Sequence, residues 1–344
     1  MNILYLSCHE TLEYYDVQNL RDLGFNVFTV GHNTYNNNDL TFRKLGPNDP
    51  ELQSLFDYEY NRGQIKLTYG FGNPAKLCNS FVSKFDIILN PHWIENVQMN
   101  WAYFKSKIFI YRSIASFSTN HERFFEKYRR GGVKVIRLSP AEKFVSNYMG
   151  SDAVIRTSLD PNYPKLWTGE DLQILTVHKM MDVCNSRMKP EYEQITNMFA
   201  DKRILCGKKN DTIKYARSEV SEDEVNDLRQ KSRVYLALCS KRAPLVYSFS
   251  EALMAGMPVV TFSKSLIGYE WFEQPDFIEN GVSGFYGDTI EEMQQQIQTL
   301  LDDYDLAKSM SVKARETAIK NFSTDIIKGQ WKSFFKEYYN IDTL

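Results

Sequence analysis

The chain has 344 residues, of which 43% are apolar and 24% are charged, and its formal net charge is −2. This length and composition are typical of a globular protein with two domains and exclude a disordered chain. The small net charge excludes an overall basic field, so nucleic acid is not the expected partner, and no apolar run is long enough to cross a bilayer.

The cysteines show no paired spacing, so neither a disulfide framework nor a zinc knuckle is indicated. They are Cys8, Cys78, Cys184, Cys206 and Cys239. Residues 1–4 run directly into an apolar strand and do not resemble a signal peptide. We therefore expect a soluble cytoplasmic protein without a transmembrane segment.

The first half of the chain alternates short apolar strands with helices, which predicts a parallel sheet covered on both faces. Strands are predicted at residues 2–7, 26–31, 85–89, 107–111 and 133–138, and helices at 13–23 and 122–130. The region from residue 33 to residue 74 shows no regular pattern, and we predict irregular structure there.

The second half restarts the same pattern after a loop around residues 160–169. Strands are predicted at 173–177, 203–206, 234–238 and 257–261, and helices at 222–230, 287–301, 304–318 and 324–338. We predict an α/β protein with domains at 1–167 and 168–323 and a final helix at 324–344. In such folds ligands bind at the carboxyl ends of the strands.

The stretch from residue 245 to residue 261 carries the strongest indication of a site. Ser248 and Ser250 are candidate N-caps of a helix, and Glu251 places a carboxylate in its first turn. Gly256 suits a left-handed helix end, and Pro258 forbids continuation. A helix N-terminus that follows a parallel strand can bind a diphosphate, although this stretch taken alone favours an ordinary capped helix.

From about residue 173 onwards the chain resembles retaining glycosyltransferases of the GT-B fold, in particular family 4 (glycosyl transferases group 1). The resemblance lies in ordered motifs at 174–179 (ILTVHK), 205–208 (LCGK), 221–225 (SEDEV), 277–285 (FIENGVSGF) and around Phe322 and Trp331. The segment 154–161 resembles the domain boundary of that family. The resemblance implies two Rossmann-like domains that face each other across a cleft, with the C-terminal helix returning to the first domain.

The resemblance further implies a hexosyl- or pentosyltransferase that moves a sugar from a UDP- or GDP-sugar to an acceptor hydroxyl, without a metal ion or other cofactor. The implied donor-binding residues are His178, Lys179, Arg187, Gly207, Lys208, Tyr247, Ser248, Phe249, Ser250 and Glu251. Lys189 is an alternative to Arg187 as a basic contact. The catalytic candidates are His92, Arg112 and Lys179, and the acceptor-side candidates are His9, His92 and Trp93.

The sequence departs from the family pattern at some of its characteristic positions. Ala243 stands where the family has the first of two glutamates, and Arg112 stands where a histidine is common. Residues 8–11 (CHET) replace a glycine-rich turn. In a retaining mechanism the leaving phosphate oxygen can take the proton of the acceptor, so the missing histidine is compatible with catalysis.

Several simpler interpretations remain open for individual residues. His92 is equally explained as a loop histidine packed on Trp93, and His121 as a solvated residue at a helix start. Asp303 and Asp305 spell a metal-binding DxD pattern, but they fall at a predicted helix boundary, where aspartates act as caps. We therefore predict no metal site there.

Three other functions compete with the leading hypothesis. The chain could be a non-catalytic module that binds nucleotide-sugars, or a glycosyltransferase that acts on a modified base in DNA, which the basic run at 127–130 permits. A sugar-nucleotide epimerase of the same fold is the third. The acceptor stays undefined at this stage as a glycan, a lipid-linked sugar or a modified nucleic acid.

Overall fold

A computed structural model describes residues 1–31, 45–68, 74–115, 118–162, 164–181, 188–218, 220–240 and 243–344. The chain forms two compact units, one made of Met1–Ser158 with Asp325–Leu344 and the other of Leu159–Thr324. Each unit contains a six-stranded sheet whose neighbouring strands are parallel. The prediction of an α/β fold built from two parallel sheets is confirmed.

The sheet of unit 1 has the strand order β2-β1-β5-β6-β7-β8. Its strands are β1 (Asn2–Tyr5), β2 (Asn26–Thr29), β5 (Ile87–Pro91), β6 (Ile108–Arg112), β7 (Lys134–Arg137) and β8 (Ala153–Val154), while β3 (Lys66–Leu67) and β4 (Ala75–Lys76) form a separate antiparallel pair. The helices are α1 (Glu10–Asp22), α2 (Pro50–Asn61), α3 (Asn79–Val82), α4 (Ile94–Phe104), α5 (Thr119–Arg130) and α12 (Thr324–Tyr339). The order of the strands reverses between β1 and β5, and ligands of open α/β sheets bind at such a position.

Helix α2 corrects the prediction of irregular structure across residues 33–74. Asp49 caps the helix by accepting hydrogen bonds from the backbone N–H groups of Glu51 and Leu52, and Pro50 occupies the first helical position. An aspartate followed by proline is a recognised helix start. The surrounding prolines and asparagines obscured this signal in the sequence.

Arg112 ends β6 and is completely buried. Its Nε donates to Asp16 Oδ2 at 2.8 Å, its Nη2 donates to Asp16 Oδ1 at 3.1 Å, and its Nη1 donates to the carbonyl oxygen of Ile155 at 2.7 Å. The guanidinium also lies 5.3 Å from the ring centroid of Trp331 in α12. This bidentate ion pair therefore connects α1, the central sheet and the C-terminal helix within unit 1.

The sheet of unit 2 has the strand order β11-β10-β9-β12-β13-β14. Its strands are β9 (Asp171–Val177), β10 (Arg203–Cys206), β11 (Ala216–Arg217), β12 (Ser232–Leu236), β13 (Val259–Phe262) and β14 (Phe285–Gly287). The helices are α6 (Lys189–Thr196), α7 (Glu222–Lys231), α8 (Tyr247–Ala255), α9 (Lys264–Ile267), α10 (Ile290–Asp302) and α11 (Tyr304–Phe322). Here the strand order reverses between β9 and β12, so the loops after these two strands define the expected ligand position.

Two helix starts of unit 2 follow directly from the sequence. Ser221 and Glu224 form a reciprocal capping box at the start of α7. Asp303 Oδ1 accepts a hydrogen bond from the backbone N–H of Leu306 at 2.9 Å, and Asp303 thereby caps α11. The predicted capping role of Asp303 is confirmed. Among the described residues, no helix combines the length and apolar character needed to cross a membrane.

The Arg112–Asp16 pair yields a test of what stabilises unit 1. We expect Asp16→Asn to lower the free energy of unfolding by about 3–5 kcal/mol, because it leaves a buried guanidinium without its counter-charge. Asp22→Asn, on the same helix, removes only a half-exposed carboxylate 3.4 Å from Lys328 and should cost less than about 1 kcal/mol. Urea denaturation followed by circular dichroism measures both, and equal losses would contradict the structural role of Arg112.

Candidate active site

The loops that follow β9 and β10 are locked together by backbone contacts. The N–H of His178 donates to the carbonyl oxygen of Cys206 at 2.8 Å, and the N–H of Met180 donates to that of Lys208 at 2.8 Å. Gly207 has φ +137°, and a Cβ there would lie 2.7 Å from the carbonyl carbon of His178. Only glycine fits both the backbone conformation and the close approach of the two loops.

Asn210 is a clamp between the same two loops and is completely buried. Its Nδ2 donates to the carbonyl oxygens of His178 and Gly207, both at 2.8 Å, and its Oδ1 accepts from the N–H of Met181 at 2.7 Å. One side-chain amide thereby donates to both loops and accepts from one of them. The sequence did not identify Asn210, because it stands in a polar run that resembles a solvated loop.

The predicted basic residues lie at the ends of neighbouring strands. Lys179 follows β9 and is exposed, while Lys208 follows β10 and is half-buried. His178 is buried, with Nδ1 3.1 Å from the carbonyl oxygen of Lys179 and Nε2 3.4 Å from that of Cys239. It therefore connects the end of β9 to the loop after β12. Arg187 lies outside the described residues, and Lys189 is the first residue of α6.

Helix α8 begins at Tyr247, after Val246, and the side chain of Val246 makes no capping hydrogen bond. The prediction that Ser248 or Ser250 is the N-cap is wrong, since both lie inside the first turn, where Ser250 Oγ donates to the carbonyl oxygen of Tyr247 at 2.9 Å. Gly256 ends the helix with φ +84°, as predicted. The positive end of α8 thus lacks an internal anionic or hydroxyl partner from a cap residue.

Glu251 is held in place by a buried arginine of α7. Its Oε2 accepts from Arg229 Nη2 at 2.5 Å, and Arg229 Nη1 donates to Glu222 at 3.1 Å and Asn226 at 2.9 Å. The side chain of Arg229 is only 3% exposed. This arrangement fixes the direction of the Glu251 carboxylate. The sequence pattern did not identify Arg229 as a site residue, because its partner Glu251 lies 22 positions away on another helix.

Two first-half candidates, His92 and Trp93, lie in unit 1 where the strand order reverses, and His9 follows the neighbouring strand β1. His92 has φ +61°, and its backbone N–H donates to the carbonyl oxygen of Arg112 at 2.9 Å. Its ring lies edge-on to Trp93, with 5.1 Å between centroids. Trp93 lies next to the Cys8 thiol. His9 is the exposed residue before α1.

Two other first-half residues are placed differently from their predictions. The Arg112 side chain forms a buried ion pair with Asp16. This contact gives Arg112 a structural role rather than a position among the reacting groups. His121, expected to be solvated, is partly buried and stacks on the ring of His92 with 3.9 Å between centroids and 14° between planes.

The pKa values of both stacked histidines are lowered, which favours their neutral forms. Burial, and secondarily the neighbouring His121, lowers the pKa of His92 to about 3. Burial also lowers the pKa of His121, although the carboxylates of Glu95 and Glu122 oppose that shift. A group with a pKa far below neutral is a weak general base. The lowered pKa of His92 therefore favours a role of its neutral imidazole in hydrogen bonding over a role in proton transfer.

Comparison with known proteins identifies the fold. No protein-family model and no curated protein matches the chain. HepE of Anabaena in complex with UDP-glucose superposes with a TM-score of 0.66 at 13% identity, over 99% of this chain and 100% of that one. A glycosyltransferase from Rickettsia africae gives 0.65 at 13% identity, over 98% of both chains.

Sucrose-phosphate synthase from Thermosynechococcus elongatus superposes with a TM-score of 0.65 at 12% identity, over 99% of both chains. At these identities the likeness concerns the fold. The chain has the GT-B fold of these glycosyltransferases, as the resemblance implied.

Gly207 is the most sensitive backbone position of the candidate site. We expect Gly207→Ala to destabilise the protein clearly more than Gly268→Ala does, by about 1–3 kcal/mol. Gly268 also has a positive φ, +71°, but a Cβ there meets nothing within 4 Å, so it isolates the cost of the conformation from that of the collision. Thermal unfolding compares the two variants, and equal losses would show that the loops tolerate a side chain.

The low pKa of His92 makes stability depend on pH. Because the folded-state pKa is about 3 and the ordinary value is 6.5, the folded state binds fewer protons than the unfolded state between these pH values. Stability should therefore fall as the pH decreases from 6.5 towards 3, and His92→Gln should flatten this slope. Melting temperatures across that range test the expectation. His9→Gln, at an exposed position, is the control and should leave the slope unchanged.

Proposed function

We propose that the protein is a retaining, metal-independent glycosyltransferase that transfers a sugar from a UDP- or GDP-sugar to an acceptor hydroxyl. One observation carries the proposal: the N-terminus of α8, which the side chain of Val246 does not cap, follows β12, next to the strand end that bears Lys179. These two features occupy the reversal point of the unit 2 sheet, where ligands bind in open α/β folds.

The chemistry of the proposed reaction needs positive charge at this point. Cleavage of a nucleoside diphosphate-sugar develops negative charge on the departing diphosphate, which helix amides and lysines can stabilise without a metal ion. Lys179 and Lys208 would provide side-chain positive charges. The amides of the first turn of α8 provide fixed dipoles.

Glu251 suits recognition of the ribose. Arg229 holds one carboxylate oxygen, and a carboxylate in fixed orientation is a good acceptor for a pair of ribose hydroxyls. The acceptor's proton would pass to the leaving phosphate oxygen, since the neutral His92 is a weak base. A UDP-sugar is favoured because HepE, which shares the fold, has been crystallised with UDP and with UDP-glucose.

A non-catalytic nucleotide-sugar-binding module is the second candidate. It is favoured by Ala243, which places a methyl group in the loop ahead of α8 where the related enzymes carry a carboxylate. Nucleotide binding without hydrolysis or transfer across a panel of acceptors would support it. The DNA-directed alternative loses support, because Arg129 pairs with Asp152 and Arg130 with Glu126. This pairing lowers the positive potential that a duplex needs.

The role of Lys179 provides the direct test. We expect calorimetric titration to show binding of UDP or GDP, and Lys179→Ala to weaken it about 10- to 100-fold, the usual loss of a charge-assisted hydrogen bond. Lys231→Ala is the matched control, because Lys231 is an exposed lysine of the same unit that precedes β12 and so lies at the opposite edge of the sheet.

The reaction itself is checked with the wild-type protein and the bound sugar nucleotide. Slow hydrolysis followed by NMR should release the sugar with its anomeric configuration retained, at a rate that EDTA does not change. The proposal fails if no nucleotide binds more tightly than millimolar, or if Lys231→Ala weakens binding as much as Lys179→Ala.

A further inference from the structure

The stacked pair of His92 and His121 is built from elements outside the proposed donor site. His92 follows β5, whereas His121 lies in the first turn of α5. Ser118 precedes that helix, and its Oγ lies 2.6 Å from Nδ1 of His121. One face of the His121 ring is thus covered by His92 and one ring nitrogen is engaged by Ser118. The ring has a defined orientation, and Nε2 is its second hydrogen-bonding atom.

We propose that His121, oriented by His92 and Ser118, is a ligand-binding residue of a site on unit 1 for a neutral sugar. In this site Nε2 of His121 would hydrogen-bond a hydroxyl group of the ligand. The sugar is the acceptor if the proposed function holds, and to that extent the inference rests on it.

The location agrees with a binding site. Trp93 follows β5 and lies next to Cys8, which follows β1, so the loops of the two strands that flank the reversal point meet here. Ligands of open α/β sheets bind at such points. The partly exposed indole of Trp93 and the edges of the imidazoles offer apolar surface on which the C–H face of a sugar ring can pack.

The charges around the pair favour a neutral ligand over an anion. Both imidazoles are shifted towards the neutral form, and the exposed carboxylate of Glu95 acts on His121. Glu122, the other carboxylate that acts on His121, is paired with Arg137 at 2.7 Å. A phosphate or carboxylate ligand would meet no compensating positive charge from these groups, whereas a hydroxyl can donate to or accept from an imidazole.

The ring geometry also argues against a metal ion held by the pair. In rings that are 14° from parallel with centroids 3.9 Å apart, the nitrogen lone pairs lie in the ring planes and point side by side. A metal ion needs lone pairs that converge at about 2.0–2.1 Å. The stacked arrangement therefore suits a ligand that presents its groups along the edge of both rings.

The test uses the full chain with 13C-labelled histidine and records the Cε1–Hε1 signals during titration with methyl glucoside and methyl mannoside. The two signals lost in His92→Gln and His121→Phe assign the pair. We expect the His121 signal to shift with a glycoside, and His121→Phe, which keeps the stacking but removes the nitrogens, to weaken binding at least tenfold. Ser118→Ala should weaken binding severalfold, because the ring keeps its nitrogens but loses its anchor.

Arg123→Ala is the control, because Arg123 is exposed and lies two positions further along α5, which places it on the opposite face of the helix. It should bind glycosides like the wild type. Titration with inorganic phosphate and glucose 6-phosphate forms the competing arm. Stronger shifts with these anions than with the glycosides would overturn the inference.

Failure of the inference and failure of the proposed function are distinguishable. If no glycoside moves the His121 signal while UDP still binds in calorimetry, the sugar site is refuted and the donor site stands. If UDP does not bind but a glycoside shifts His121 in a manner that His121→Phe abolishes, the sugar site stands and the transferase proposal falls. Equal binding by wild type and His121→Phe would refute the role of His121.

Discussion

The positive end of α8, whose N-cap residue is Val246, is the feature on which the proposed donor site depends. A serine at the N-cap would have satisfied the first amides internally, and an anion would then have to displace that side chain. The structure has Val246 at this position, whose side chain cannot accept a hydrogen bond. The helix is held instead by its apolar side chains, since Phe249, Ala252 and Leu253 are completely buried. Packing therefore fixes the helix, and its N-cap residue places no polar side chain over the first turn.

The residues around this helix are arranged for rigidity. Asn210 and Gly207 join the loops after β9 and β10, and His178 connects them to the loop after β12. Arg229 fixes Glu251 from α7. In a preorganised site of this kind the dipoles do not have to reorient during the reaction. This preorganisation is the main source of electrostatic catalysis. The same contacts supply hydrogen-bond partners for the buried polar side chains of Asn210, His178 and Arg229.

The sequence was informative wherever the signal is local. Local signals, which depend on residues within a few positions of one another, define the strands, the capping box of α7, the aspartate cap of α11 and the glycine end of α8. The start of α8 was misplaced because serines are good caps in isolation, whereas burial of Phe249 determines where the helix begins. Tertiary packing overrode local preference at that point.

Contacts between distant residues account for what the sequence could not predict. Arg112 and Asp16 are 96 positions apart, and Asn210 reaches back to His178 over 32 positions. A residue type alone does not distinguish a buried arginine from one that binds substrate, and Arg112 was therefore placed among the catalytic candidates. The stacking of His121 on His92 likewise depends on where α5 meets the end of β5, which no local pattern encodes.

The two reversal points carry different chemistry, and that difference limits the reaction. In unit 2 the point is lined by lysines and helix amides, which suit a leaving group that gains negative charge. In unit 1 it carries neutral imidazoles and an indole, which suit a ligand whose charge does not change before the reaction. Because the described part of the unit 1 point combines neutral rings with the carboxylate of Glu95, the charges of these residues support the proposal of a neutral, hydroxyl-bearing acceptor.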